Sequence, residues 1–174
     1  MTDKTSLTDV QRQFILHWGE MGARWGINRT VAQIHALLHL SEQSLSADAI
    51  AAALGVARSN VSTSLRELQG WGIVKIAHVL GDRRDHFESL KDVWQMFEII
   101  VAERKRREID PTLEMLRTCL AESRKADAYT AERVTAMLEF FETMTGLYGD
   151  FERMPKGMLA GVSKLRGKVR KLIS

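Results

Sequence analysis

The sequence predicts a mainly α fold with a small β-hairpin wing: a winged helix-turn-helix followed by a helical dimerisation region. Three observations carry this. Apolar residues recur at helical spacing along almost the whole chain. The period changes to that of strands only once, between Ile73 and Glu88. Directly before that change stand a short helix, a glycine turn and a longer helix.

The elements follow in order. Thr8-Asp9-Val10-Gln11 has capping-box form, with a Thr cap and a Gln reaching back. The first helix carries Phe14, Trp18, Met21 and Trp25 as one apolar stripe. Gly26-Ile27-Asn28 interrupts it, and Asn28 caps a second helix to about Leu40 with Val31, Ile34, Leu37 and Leu38 facing inward. Ser46 caps a third helix, Ala47 to Leu54, which Gly55 ends. A fourth runs from about Ala57 to Gln69 and stops at Gly70-Trp71-Gly72. Ile73, Val74, Ile76 and Val79 form a β-branched run, Gly81-Asp82-Arg83-Arg84-Asp85 a polar turn, and His86-Phe87-Glu88 a returning strand. Helix resumes from Asp92 to Glu108. Asp110-Pro111 reads as a restart with Asp at the cap and Pro at the first helical position. Thr130 caps a further helix with Val134, Met137, Leu138, Phe141, Met144 and Leu147 on one face. Pro155 opens a last helix carrying Met158, Val162, Leu165, Val169 and Leu172. Two domains are expected: residues 8–90, the winged helix-turn-helix with its N-terminal helix, and residues 91–174, a helical region for dimerisation and effector response.

Composition narrows the function. Of 174 residues, 45% are hydrophobic and 27% charged, which fits an ordinary globular protein. The net charge of +3 is too small to identify a nucleic-acid partner, so the placement of charge must decide. Cys119 is the only cysteine, which excludes an intramolecular disulfide and a cysteine-based zinc cluster and suits a reducing cytoplasm. No run is long and apolar enough to span a bilayer, and the N-terminus has no signal-peptide core. His35 and His39 are one helical turn apart, yet no third ligand is evident. With no phosphate loop, nucleophile elbow or metal triad, neither an enzyme nor a cofactor is expected.

The fourth helix does carry a pattern. Val61, Leu65 and Leu68 share one face, while Arg58, Ser59, Asn60, Ser62, Thr63 and Arg66 share the other. Short hydrogen-bonding side chains permit close approach to a major groove, and Arg and Asn can pair bidentately with guanine and adenine edges. The start of such a helix does most of the reading. Arg58, Asn60, Ser62 and Thr63 are therefore placed near bases, with Ser59 beside them. Arg66 is placed near phosphate. Arg83 and Arg84, at the wing tip, are within reach of a minor groove or its phosphates.

The run Leu54-Gly-Val-Ala-Arg-Ser-Asn-Val-Ser-Thr-Ser-Leu-Arg-Glu-Leu-Gln-Gly-Trp-Gly72 resembles the MarR superfamily, specifically its GbsR-type branch. Gly81-Asp82-Arg83-Arg84-Asp85 resembles that superfamily's wing signature. Phe87 through Trp94 and Arg104 through Pro111 are also similar to this branch. The resemblance implies a winged-helix dimer that regulates transcription, usually by repression, and such a homodimer gains affinity for double-stranded DNA by pairing two modules over a palindromic operator. It implies that Asp82 braces the wing by an ion pair and that Arg84 enters the minor groove. Ala57 departs from the Ser or Thr that often caps such a helix.

Two expectations concern the rest of the chain. The first helix and the last two helices carry apolar stripes suited to a dimer interface. Some GbsR-type regulators respond to choline or related quaternary ammonium compounds, which need an aromatic cage. Trp18, Trp25, Trp94, Phe97, Phe140, Phe141 and Tyr148 are the aromatics available for one. A DNA-binding architectural protein without an effector is the alternative reading. The basic run Arg104-Lys-Arg-Arg107 and the tail with Lys164, Arg166, Lys168, Arg170 and Lys171 read as solvated helix faces, and no membrane partner is expected.

Overall fold

Helix α1, Asp9–Arg24, begins where the sequence calls for it: Gln11 N–H donates to Thr8 Oγ1 at 3.2 Å and Thr8 N–H donates to Gln11 Oε1 at 2.9 Å. A computed structural model describes residues 7–123 and 127–153 of the chain. The buried face of α1 is not the aromatic stripe. It consists of Ile15, Gly19 and Gly22, while Phe14 and Trp18 stack at 5.3 Å on the rim of the core and Trp25 is 56% exposed. The reason is the close approach of helix α2, Arg29–Leu40. A Cβ at Gly22 would stand 2.6 Å from Ala32 Cβ. Such overpacking costs about 1–3 kcal/mol, against about 1 kcal/mol of helix propensity gained by replacing glycine. Gly22→Ala is therefore expected to lower the thermal midpoint, and a raised midpoint in a calorimetric scan would contradict the close contact.

Helix α2 is the centre of the first unit. Asn28 Oδ1 accepts from Thr30 N–H at 2.8 Å, and Val31, Ala32, Ile34, Ala36, Leu37 and Leu38 are buried. At its other end the Lys91 ammonium donates to the carbonyls of Leu38, His39 and Ser41 at 2.7–2.8 Å. One cation thus satisfies three carbonyls at the end of the helix.

Strand β1, Leu45–Ser46, leads into helix α3, Ala47–Leu54. Ser46 Oγ caps α3 by accepting from Ala49 N–H at 3.2 Å, and Gly55 ends it in the left-handed region at φ 65°. Helix α4, Arg58–Gly70, follows after two residues and buries Val61, Ser64, Leu65 and Leu68. Gly72, at φ 77°, turns the chain into strand β2, Val74–Ala77. Strand β3, His86–Ser89, returns antiparallel, with Lys75 opposite Glu88 and Ile76 opposite Phe87. The hairpin is joined by a strand the sequence reading lacked: β1 pairs with β3, so the sheet has three strands in the order β1-β3-β2. Ile73 and Val74 enter the core, whereas Ile76 and Val79 are exposed on the wing. Helix α5, Val93–Arg104, starts at Asp92, whose Oδ1 accepts from Trp94 and Gln95 N–H, and it buries Met96.

The described residues separate into two units, one up to Glu103 and one from Arg104. In the second, Lys105–Ile109 form a π-helical turn that passes without a break into helix α6, Asp110–Ser123. Asp110 was expected to cap a new helix. Instead it has helical angles, φ −60° and ψ −44°, and its N–H reaches back to Lys105 O. Pro111 supplies the reason. It has no N–H, and its ring crowds the carbonyl one turn back. A widened turn relieves that crowding without ending the helix.

Helix α7, Ala128–Arg153, also starts earlier than expected. Its cap is Asp127, whose carboxylate accepts from Tyr129 and Thr130 N–H at 3.1 and 3.0 Å; the Thr130 hydroxyl donates to the same group instead of capping. These bonds, the hydroxyl first, hold Asp127 below the usual carboxylate range. Val134, Leu138 and Phe141 pack against Ile109, Leu113, Leu116 and Leu120. Arg117 pairs with Glu142 at 2.8 Å beside them. The expected stripe of α7 therefore divides: Met137, Phe140, Met144 and Leu147 remain exposed. Cys119 is half-buried with Sγ 3.5 Å from Met115 Sδ. The expected last helix and basic tail lie outside the described residues.

Candidate nucleic-acid interface

The polar face of α4 is presented by its buried face. Val61, Leu65 and Leu68 are held at 2% exposure or less, which fixes the rotation of the helix. Ser59, Asn60, Thr63 and Arg66 are consequently exposed, Arg58 is exposed at the first helical position, and Ser62 is half-buried. Ala57 is the N-cap and gives the first turn no side-chain acceptor. Those N–H groups are left to water or to a bound anion.

Arg58 is not loose. Its Nε donates to Asp48 Oδ1 at 2.7 Å, and its Nη1 donates to Ser62 Oγ, which in turn donates to Arg58 O at 3.1 Å. Asp48 lies in the first turn of α3, where a carboxylate is favoured by the helix dipole. Reading the sequence missed its role, because an acid after a Ser cap looks only like a helix start.

The wing is braced from within. Arg84 Nε and Nη2 grip the Asp82 carboxylate at 2.6–3.1 Å, and Arg84 N–H donates to Asp82 Oδ1 at 3.0 Å. His86 Nε2 stands 3.6 Å from the same carboxylate. The Arg84 side chain, then its backbone N–H, hold Asp82 far below the usual carboxylate range. Arg83 and Arg84 are both exposed. Lys75 and Glu88 pair across the strands at 3.0 Å.

Between α4 and the wing lies an open cleft of about 350 Å³, lined in part by Asp48, Arg58, Ser62, Arg66, Gln69 and Arg84. Of the eight residues assigned from the sequence, four thus line one concavity; Ser59, Asn60, Thr63 and Arg83 are not among its lining.

Residues 25–85 match the MarR family. The matched segment is about a third of the chain. It spans α2 through the turn of the wing and so contains both walls of the cleft. A solved transcriptional regulator is similar over 81% of this chain and 94% of its own, at 21% identity and a TM-score of 0.65, and shares the mostly helical fold with its small antiparallel sheet. Transcriptional regulator Tm0710 from Thermotoga maritima is similar over 83% of this chain and 96% of its own, at 16% identity and a TM-score of 0.39. MepR, a transcription regulator of the Staphylococcus aureus multidrug efflux pump MepA, is similar over 95% and 93%, at 12% identity and a TM-score of 0.36. No curated protein matches the sequence.

Within the first unit is also a cavity of about 40 Å³. Trp18, Met21 and Trp25 of α1, His35 of α2, Trp71 and Ile100 are among its lining. His35 is 5% exposed, and its Nε2 has no hydrogen-bond partner among the described residues. Burial, followed by the nearby His39 and Lys91, lowers its pKa to about 4, so it is neutral near pH 7. Of the aromatics proposed for a cage, Trp18 and Trp25 line this cavity and Trp71 joins them. Trp94 and Phe97 are exposed and meet edge to face, and Phe141 belongs to the core of the second unit. Among the described residues no group of three side chains is placed to hold a metal ion, and no helix is long and apolar enough to cross a membrane.

Proposed function

We propose that the protein is a sequence-specific DNA-binding transcriptional regulator, a homodimeric repressor acting on a palindromic operator. The observation that carries this is the joint exposure of the α4 polar face and the braced Arg84 across one cleft of a MarR-family winged helix. In this reading Arg58, Asn60, Ser62 and Thr63 meet bases, with Ser59 beside them. Arg66 and Arg83 meet backbone, and Arg84 enters the minor groove.

A second copy of the chain is the proposed occupant of the exposed α7 stripe. Met137, Phe140, Met144 and Leu147 follow one another at three, four and three residues, the a/d pattern of a two-helix seam. Their exposures of 49–59% are high for four large apolar side chains on one helix face. A dimer also doubles the number of base contacts, which one short helix alone cannot supply.

Asn60→Ala is expected to relax base preference at one position of each half-site at about 1–3 kcal/mol. Arg84→Ala is expected to weaken binding to all sequences and to flatten its salt dependence. Titrating both variants with operator and random duplex over a range of salt tests the assignment. An Asn60→Ala variant with unchanged affinity and preference contradicts the placement of α4.

For the effector, the reading is a quaternary ammonium compound of the choline type. Three indoles and a neutral imidazole line the small cavity, and no charged side chain is among its lining. Such a cation requires Trp25, which is largely exposed, to swing outward and enlarge the site. Titration calorimetry with choline and glycine betaine tests it; no heat with either counts against this effector class.

A further inference from the structure

We propose that Asp48 is a specificity-determining residue of the DNA-binding surface, holding Arg58 so that its guanidinium addresses a base edge instead of the nearest phosphate. This rests on the reading of α4 as the base-contacting helix. Asp48 is a carboxylate in a cleft that also holds Arg58, Arg66 and Arg84, and like Asp85 in the same lining it repels a polyanion. Its side chain is 60% exposed and its partner's 52%, so burial does not force the pair together. What it does is geometric. The bond from Arg58 Nε to Asp48 Oδ1 and the bond from Nη1 to Ser62 Oγ fix both ends of the guanidinium plane. Ser62 is itself tied to the Arg58 carbonyl, so three groups on two helices set one side-chain orientation.

The donor count shows what remains. A guanidinium has five N–H bonds. Asp48 takes the one on Nε and Ser62 takes one on Nη1. Three N–H bonds are left, both of those on Nη2 and the second on Nη1, and a parallel pair with one N–H from each Nη is what guanine O6 and N7 accept. A free arginine carries about 2 kcal/mol of rotamer entropy, and on a DNA surface it satisfies itself on any phosphate within reach, which adds affinity without sequence information. Asp48 therefore exchanges general affinity for discrimination. Its charge also reaches Arg84 in the same cleft, so the same carboxylate tempers two of the three arginines that line it.

The test uses the 174-residue chain, a duplex it selects from a random library, and random-sequence duplex of equal length at one salt concentration. Asp48→Asn removes the charge and keeps the shape. It is expected to bind random duplex more tightly and the selected duplex no more tightly, lowering the ratio of the two affinities about tenfold. Repeating the selection with the variant should lose a guanine preference at one position per half-site. In an Arg58→Ala background, Asp48→Asn should leave the ratio unchanged. An unchanged ratio in the wild-type background means that Asp48 only repels DNA, and overturns the proposal. So does equal weakening on both duplexes with a lowered thermal midpoint, because Asp48 then only supports α3. A drop that persists without Arg58 overturns it too. If the unmodified chain itself fails to discriminate, the reading of α4 falls along with this one. If it discriminates and Asp48→Asn does so equally well, this inference alone fails.

Discussion

Replacing Phe140 and Met144 together with glutamate is expected to convert the proposed dimer to a monomer and to weaken operator binding by about a hundredfold or more. Both side chains are about half exposed in the single chain, so their loss leaves the α6–α7 core of Leu113, Leu116 and Leu138 intact. In a helix seam they would be buried, and two carboxylates at facing positions would carry both desolvation and like-charge penalties. The effect on DNA follows from linkage. Two modules joined in a dimer bind a palindrome with an effective concentration that raises avidity by about 10²–10⁴. Sedimentation equilibrium, circular dichroism and duplex titration on the same variant separate the steps. Unchanged helix content with a halved mass and a lost operator complex is the expected set. A variant that remains dimeric would move the interface away from this face of α7.

The second large effect is on stability against pH. His35 is buried with a pKa of about 4, and in the unfolded chain an unperturbed histidine titrates near 6.5. Between those values the unfolded chain binds a proton that the folded one does not. Folding stability is therefore fully present above about pH 6.5 and falls as the pH drops toward 4, by on the order of 3 kcal/mol in total. His35→Leu removes the titrating group and fills similar space with apolar atoms. Denaturant unfolding at pH 7 and at pH 4.5 should show a smaller loss in the variant than in the parent, the difference arising only within that window. Equal losses in both would mean that His35 is already solvated in the folded protein.

The helix-turn-helix was legible residue by residue because its signals are local. Ser46, Gly55 and the apolar Val61, Leu65 and Leu68 each act within a turn or two of the chain, and the observed bounds of α3 are those the caps imply. Elements whose position depends on a partner were not legible. The buried face of α1 is set by how near α2 comes, a property of Gly22 and Ala32 jointly. Strand β1 is two residues long, too short to have a period, and it exists because β3 offers an edge. Asp110-Pro111 carries every local mark of a helix start, yet the widened turn before it absorbs the proline. In the candidate site the arginines were visible in sequence, and the resemblance implied an ion pair at Asp82, whose partner the structure gives as Arg84. The hold of Asp48 on Arg58 was not, since it spans ten residues and two helices.

Selection by the chain from a random duplex library, followed by competition against random duplex at physiological salt, tests sequence-specific recognition most directly. The expected result is an enriched palindrome whose half-sites are centred about 10–10.5 bp apart, bound about a thousandfold or more tightly than random sequence. Equal binding to every duplex, with no sequence enriched, would contradict a regulator and favour an architectural DNA-binding protein.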